Sequence, residues 1–216
     1  MPFSTDLGIE SILPGTRVLA LSPHTDDIEL GAGATVARLA SKGVDVLSVV
    51  FTRAETKDAE KDSLAECKEA VKVLGIKTLS FLDFPVRRFN EHRQDILDHL
   101  IKIRNTEKID LVLTPARHDT HQDHATITME AIRAFKKTRI LGYDLPWNTV
   151  GHSQLDFFVS VTEEGLAQKE EALACYKGQM DRSFFQPGTI RAIARFRGEQ
   201  CGEPYAECFE CIRWKL

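Results

Sequence analysis

Residues 17–51 read RVLALSPHTDDIELGAGATVARLASKGVDVLSVVF, and the fold is decided there. Arg17–Ser22 is a short apolar strand that runs into a polar loop. Leu30–Ser41 has helical spacing through Ala34, Ala37, Leu39 and Ala40, and Gly43 stops it as a C-cap glycine does. Val44–Phe51 is rich in β-branched residues and mostly apolar, the pattern of a strand buried on both faces. Strand, helix and strand in that order make a βαβ unit, which implies parallel pairing.

Outward from this unit the alternation continues. Helical spacing covers Asp58–Leu74, with Gly75 as its stop, then Glu91–Arg104, Asp123–Lys136 and Glu163–Lys177. Strands are expected at Lys77–Leu82, Ile109–Thr114, Ile140–Asp144 and Leu155–Ser160. Pro146–Gln154 is the most loop-like interior stretch. Near the end, Thr189–Arg197 reads as a helix and Tyr205–Trp214 as an extended piece. No repeat, low-complexity tract or Pro/Gly-rich linker interrupts the pattern. The expectation is a single α/β domain over residues 1–216, Rossmann-like, with a mostly parallel sheet and helices on both faces.

Composition narrows the function. The chain has 216 residues, with 28 Lys and Arg against 32 Asp and Glu, a net charge of −4 that argues against nucleic acid as a partner. Its apolar runs, Val18–Leu21 and Val44–Phe51, are far too short to cross a bilayer. The opening MPFSTDLGIE has no basic segment followed by an apolar one, so the expected location is the cytoplasm. Five cysteines are then expected as thiols, and an odd number does not close into disulfide pairs.

Open α/β sheets bind ligands beyond the carboxyl ends of their strands. Two loops there are rich in His and Asp. The first, after Ser22, reads PHTDDIE (23–29). His24 and Asp27 in one tight loop offer a neutral nitrogen and a carboxylate, the donors that zinc takes. Asp26 then points elsewhere, free to act as a general base on water. The plainer reading makes Asp26 or Asp27 a helix N-cap and Glu29 a first-turn acid. The second loop reads RHDTHQDH (117–124) and holds three of the seven histidines. His121 and His124 share one side of a helical turn, so one could bind metal while the other donates a proton. Asp123 could fix the tautomer of a histidine.

Together these loops resemble the LmbE-like, or PIG-L, family of zinc-dependent N-deacetylases. The family carries His-Pro-Asp-Asp-x-Glu after its first strand and His-Pro-Asp-His later. Here the matching stretches are PHTDDIELGAGAT and HDTHQDHATITMEAI, supported by FTRAE, AECKEAVKVLGI, FLDFP and GEPYAECFE. The resemblance implies His24, Asp27 and His124 as metal ligands and Asp26 as the base. It implies that His121, protonated, assists the oxyanion and leaving amine, with Asp123 orienting it. It implies zinc, with ferrous iron as the other candidate, and an N-acetylated amino sugar as substrate, giving acetate and a free amine. A homo-oligomer, trimer or hexamer, is also implied. The competing readings are a metal-dependent amidohydrolase on a non-sugar metabolite and a nucleotide-binding Rossmann module without hydrolytic activity.

The chain departs from the family pattern at Thr25, Gln122, Ala54, Ser63 and Val86. Ser63 stands where an Arg is common and Val86 where an Asp is common, which puts the family's familiar substrates in question. Arg53, Arg87 and Arg88 follow strands on the motif side. Of these, Arg53 and Arg88 are the candidates for substrate binding. Gly31-Ala32-Gly33 lacks the third glycine of a dinucleotide fingerprint, because position 36 is Val. The Cys208/Cys211 pair lacks the further ligands of a closed zinc site. His152, with Trp147 and Asn148, lies in the loop-like stretch, a candidate lid over the site.

Overall fold

Val18, Leu19, Ala20 and Leu21 are all fully buried. Val18 and Ala20 join one apolar cluster, and Leu19 and Leu21 join another. That two-residue alternation is what a strand packed on both faces requires. A computed structural model describes residues 9, 15–53 and 57–215. Ala54 and Glu55, at the end of the FTRAE stretch, lie outside the described residues.

The strands are β1 (Arg17–Ser22), β2 (Asp45–Val50), β3 (Thr78–Phe81), β4 (Leu111–Pro115), β5 (Arg139–Tyr143), β6 (Phe157–Ser160) and β7 (Ala206–Arg213). The helices are α1 (Asp27–Ser41), α2 (Lys57–Val73), α3 (Arg93–Thr106), α4 (Gln122–Ala134), α5 (Glu163–Ala174) and α6 (Pro187–Cys201). All seven strands form one sheet in the order β3-β2-β1-β4-β5-β7-β6. The first five pair in parallel, and β7 lies antiparallel between β5 and β6. Residues of α1, α2, α5 and α6 pack on one face, and residues of α3 and α4 on the other. This is the expected single α/β domain with helices on both faces.

The structure refines several boundaries. α1 starts at Asp27, three residues before the predicted start, because Ser22 Oγ accepts the Ile28 N–H at 3.1 Å. α6 runs from Pro187 to Cys201, longer than expected, and ends at Gly202, whose φ of 81° a side chain would resist. The extended piece predicted near the end is β7, inserted into the sheet rather than added at its edge.

α1 is not regular throughout. Its backbone leaves helical geometry at Ala32, with φ −142°. The Glu207 carboxylate repairs the break, accepting the N–H groups of Ala34 at 3.1 Å and Thr35 at 2.7 Å. Lys169 Nζ sits 2.6 Å from the same carboxylate, and both side chains are buried. The glycines of this segment serve packing. A Cβ at Gly31 would lie 2.2 Å from the Tyr143 ring, so that face of α1 is closed to a pyrophosphate. All five cysteines are free thiols. Cys208 and Cys211, three apart on β7, face opposite sides of the sheet and cannot share a metal. Among the described residues, no helix is long and apolar enough to cross a membrane.

Candidate active site

β1 pairs with β2 on one side and β4 on the other. The strand order reverses there, so the loops after β1 and β4 emerge side by side at the carboxyl edge. The two histidine-bearing loops are these two loops, and the fold brings them together.

Each loop is folded by its own acids. In the first, Asp27 Oδ2 turns back to accept the His24 N–H at 2.7 Å. Asp26 occupies the N-cap of α1, yet its side chain makes no capping hydrogen bond. The plain capping role therefore fails for Asp26, and its carboxylate is left for the cavity. In the second, Asp119 Oδ1 accepts the His121 N–H at 2.8 Å. His121 then caps α4, its Nδ1 accepting the Asp123 N–H at 3.2 Å.

Three donor atoms converge between the loops. His24 Nδ1 lies 3.2 Å from Asp27 Oδ2, His124 Nε2 lies 3.3 Å from that oxygen, and the two nitrogens are 3.2 Å apart. One face of a tetrahedral zinc site has edges of about 3.3 Å when its metal–ligand bonds are near 2.0–2.1 Å. The far nitrogen of each ring is held by an acid. His24 Nε2 is 3.1 Å from Asp123 Oδ2, and His124 Nδ1 is 2.7 Å from Asp119 Oδ2. A proton held on those far nitrogens leaves the lone pairs of His24 Nδ1 and His124 Nε2 facing Asp27. The donor set thus fits a divalent metal.

His121 completes a group of three histidines whose ligand atoms lie within 4.8 Å of one another. Its ring stacks on His124 at 4.5 Å between centroids. Because its Nδ1 accepts an amide N–H, its neutral form carries hydrogen on Nε2, a donor rather than a ligand.

Charge at the site is set by this packing. Burial opposes charge on the His24 ring, but Asp27 and Asp123 outweigh it and raise the pKa to about 10. Against the same opposition, Asp27 and Asp119 raise His124 to about 9. The field that holds protons there would also hold a metal cation. Burial also opposes ionisation of Asp27, yet His124 and His24 hold it well below the usual carboxylate range. Burial and the Asp27 charge push Asp26 up to about 6. His121 is lowered by burial and by the neighbouring His124 and His24.

Two expectations change. The Asp123 carboxylate does not hold the His121 ring. It accepts N–H groups from Arg87 at 2.7 Å and Phe89 at 3.3 Å, and it faces His24. Only its backbone N–H meets His121. The lowered pKa of His121 also favours the neutral ring over the protonated one. Asp119 is the residue that sequence reasoning missed. Its signal was an acid five positions before His124, inside the same loop.

The site opens into a cavity of about 260 Å³. His24, Asp26, Asp27, His121 and His124 line its floor. Arg53 and Arg88 are not on its wall. Arg53 Nε lies 3.9 Å from Asp83, and Arg88 pairs with Glu91 at 2.7 Å. Trp147 and Asn148 do line it, whereas His152 is exposed elsewhere. Three of the positions that depart from the family pattern, Thr25, Ser63 and Val86, face the cavity. So does Arg182, which no sequence motif singled out.

Beneath the site, β7 braces α1, the helix that follows the first loop, and the start of the second loop. Glu207 holds α1 past its break. Glu210, three residues on, accepts the Arg117 N–H at 2.7 Å and its Nε–H at 2.6 Å. Arg117 opens the second histidine loop.

The family model described as PIG-L: GlcNAc-PI de-N-acetylase matches residues 19–135, just over half of the chain and inclusive of both histidine loops. The chain belongs to the PIG-L family. The uncharacterized deacetylase YaiS of Escherichia coli (strain K12) is 33% identical over 167 residues, covering 74% of this chain and 90% of that protein. The diacetylchitobiose deacetylase of Thermococcus kodakarensis is 24% identical over 218 residues, covering 88% of this chain and 81% of that protein. The solved structure of the conserved protein TT1542 from Thermus thermophilus gives a TM-score of 0.79 at 25% identity, over 92% of this chain and 96% of that one. This PIG-L chain is a deacetylase, and the family resemblance of its two loops is borne out.

Proposed function

We propose that this PIG-L deacetylase hydrolyses the N-acetyl group of an amino sugar or sugar conjugate, with a divalent metal held by His24, Asp27 and His124. The carrying observation is the triangle of donor atoms with edges of 3.2, 3.2 and 3.3 Å beside Asp26 on the cavity floor. A zinc or ferrous ion in such a set supplies Lewis acidity to water and to a carbonyl oxygen. The named substrate of the Thermococcus relative, diacetylchitobiose, supports the sugar assignment.

The chain's own groups supply the proton chemistry. Asp26, with its pKa near 6, is basic enough at neutral pH to take a proton from the attacking water. His121 Nε2–H is placed to donate to the oxyanion that forms as the carbonyl carbon becomes tetrahedral. Asp26 then returns its proton to the nitrogen as the C–N bond breaks. The products are acetate and an amine. Asp119 and Asp123 orient the rings of His124 and His24.

The test is elemental analysis of protein purified without a metal-affinity tag, with His24→Ala alongside. About one zinc or iron per chain is expected, lost in the variant, together with acetate release from N-acetylated amino sugars. No metal in either protein after reconstitution would overturn the reading.

A further inference from the structure

The cavity wall carries Arg182 as its only arginine or lysine among the described residues. Arg88, Arg117, Arg191 and Arg197 each meet a carboxylate elsewhere. No carboxylate pairs with Arg182 among the described residues, and its side chain is exposed at the cavity mouth. The backbone around it is fixed. Its N–H donates to Gln179 O at 3.0 Å, and its carbonyl accepts the Phe185 N–H at 3.0 Å. The guanidinium carbon lies 5.9 Å from the Phe184 ring centre. Phe184 in turn stacks on Trp147 at 4.4 Å, with 14° between planes. A guanidinium against an aromatic ring is weakly hydrated, and its planar fork matches carboxylate and phosphate oxygens.

Charge inside the cavity points the same way. His24, Asp26, Asp27 and His124 at the floor are taken up by the metal and the acetamide in the proposed reaction, so a further charged group of the substrate lies nearer the mouth. Ser63 and Val86 leave their part of the wall uncharged. The place left for an anion is the mouth, where Arg182 stands beside the Trp147–Phe184 pair.

We propose that Arg182 is a specificity residue that recognises a carboxylate or phosphate on the substrate, whose sugar ring lies against Trp147 and Phe184. The substrate class is then an anionic N-acetylated amino sugar. This rests on the deacetylase reading above. Arg182 also lowers the pKa of Asp26, but that influence reaches every substrate alike. A ratio of substrates therefore isolates recognition from catalysis.

The experiment measures kcat/KM for acetate release by the metal-loaded enzyme. The substrates are the methyl glycoside of N-acetylglucosamine, N-acetylglucosamine 1-phosphate and 6-phosphate, and N-acetylmuramic acid. Wild type, Arg182→Gln and Arg182→Lys are compared, and calorimetry measures binding of the corresponding free amines. The expected result is a preference of about 10- to 100-fold for at least one anionic probe over the neutral glycoside. Arg182→Gln should bring that ratio near one, and Arg182→Lys, which keeps charge but loses the fork, should fall between. The phosphate and carboxylate arms separate the two anions. Equal handling of neutral and anionic probes by wild type would overturn the proposal, as would an Arg182→Gln ratio equal to wild type. Acetate from the neutral glycoside alone overturns it while the deacetylase reading stands. No acetate from any probe, with the anionic amines still bound more tightly through Arg182, defeats the amino-sugar reading of the function and leaves the anion site.

Discussion

The Asp119 carboxylate sits 2.7 Å from His124 Nδ1 and thereby turns His124 Nε2 toward His24 and Asp27. Asp119 also accepts from Asn148 Nδ2 at 3.2 Å, so the ring is tied to the segment that follows β5. Acids in this position commonly change metal affinity by about 10- to 100-fold when lost. Asp119→Ala should weaken zinc binding by about that factor in a competitive chelator titration. Affinity equal to wild type would remove Asp119 from the metal centre.

Asp26 lies outside the donor triangle. Asp26→Asn should therefore keep its metal while kcat falls by about 10²–10⁴-fold, the usual contribution of a positioned general base. Elemental analysis and steady-state kinetics on one preparation check both halves. Loss of the metal from this variant would make Asp26 a ligand instead.

Glu207 answers three donors at once: Lys169 Nζ and the N–H groups of Ala34 and Thr35. Glu207→Ala leaves a buried ammonium and two N–H groups unmatched, with an expected loss of about 3–5 kcal/mol. At about 2–4 °C per kcal/mol for a chain of this size, Tm should fall by roughly 6–20 °C. Lys169→Met leaves the helix N–H groups matched and should cost less. Calorimetric unfolding of both variants gives the order, and the reverse order would place the anchor in the ion pair.

Gly31 has no room for a methyl group, because the Tyr143 ring lies on it. Gly31→Ala should destabilise by about 1–3 kcal/mol through overpacking. The double variant Gly31→Ala/Tyr143→Leu should lose less than the sum of the two single changes, since removing the ring relieves the clash. Strict additivity in denaturant unfolding would show that the clash is relieved by another route.

The sheet was readable because its strands are buried on both faces, which leaves near-continuous apolar runs such as Val18–Leu21 broken by loops of His and Asp. The five residues His24, Asp26, Asp27, His121 and His124 were readable because they crowd two loops at carboxyl ends of strands. Asp119 was not, since a lone acid in a polar loop looks solvated until its ring partner is in place. Asp123 misled for a related reason: its carboxylate is claimed by backbone N–H groups of the turn after β3, which lies more than thirty residues earlier. Arg182 belongs to no motif, and its place at the cavity comes from the stacking of Phe184 on Trp147, a contact between segments far apart in the chain.

β7 follows every other described strand in the chain, yet it lies inside the sheet and carries Glu207 to α1 and Glu210 to the start of the second histidine loop. During synthesis both histidine loops leave the ribosome well before the strand that braces α1 and Arg117. The brace of Arg117, and that of α1 past Ala32, therefore closes only when the last strand takes its place between β5 and β6.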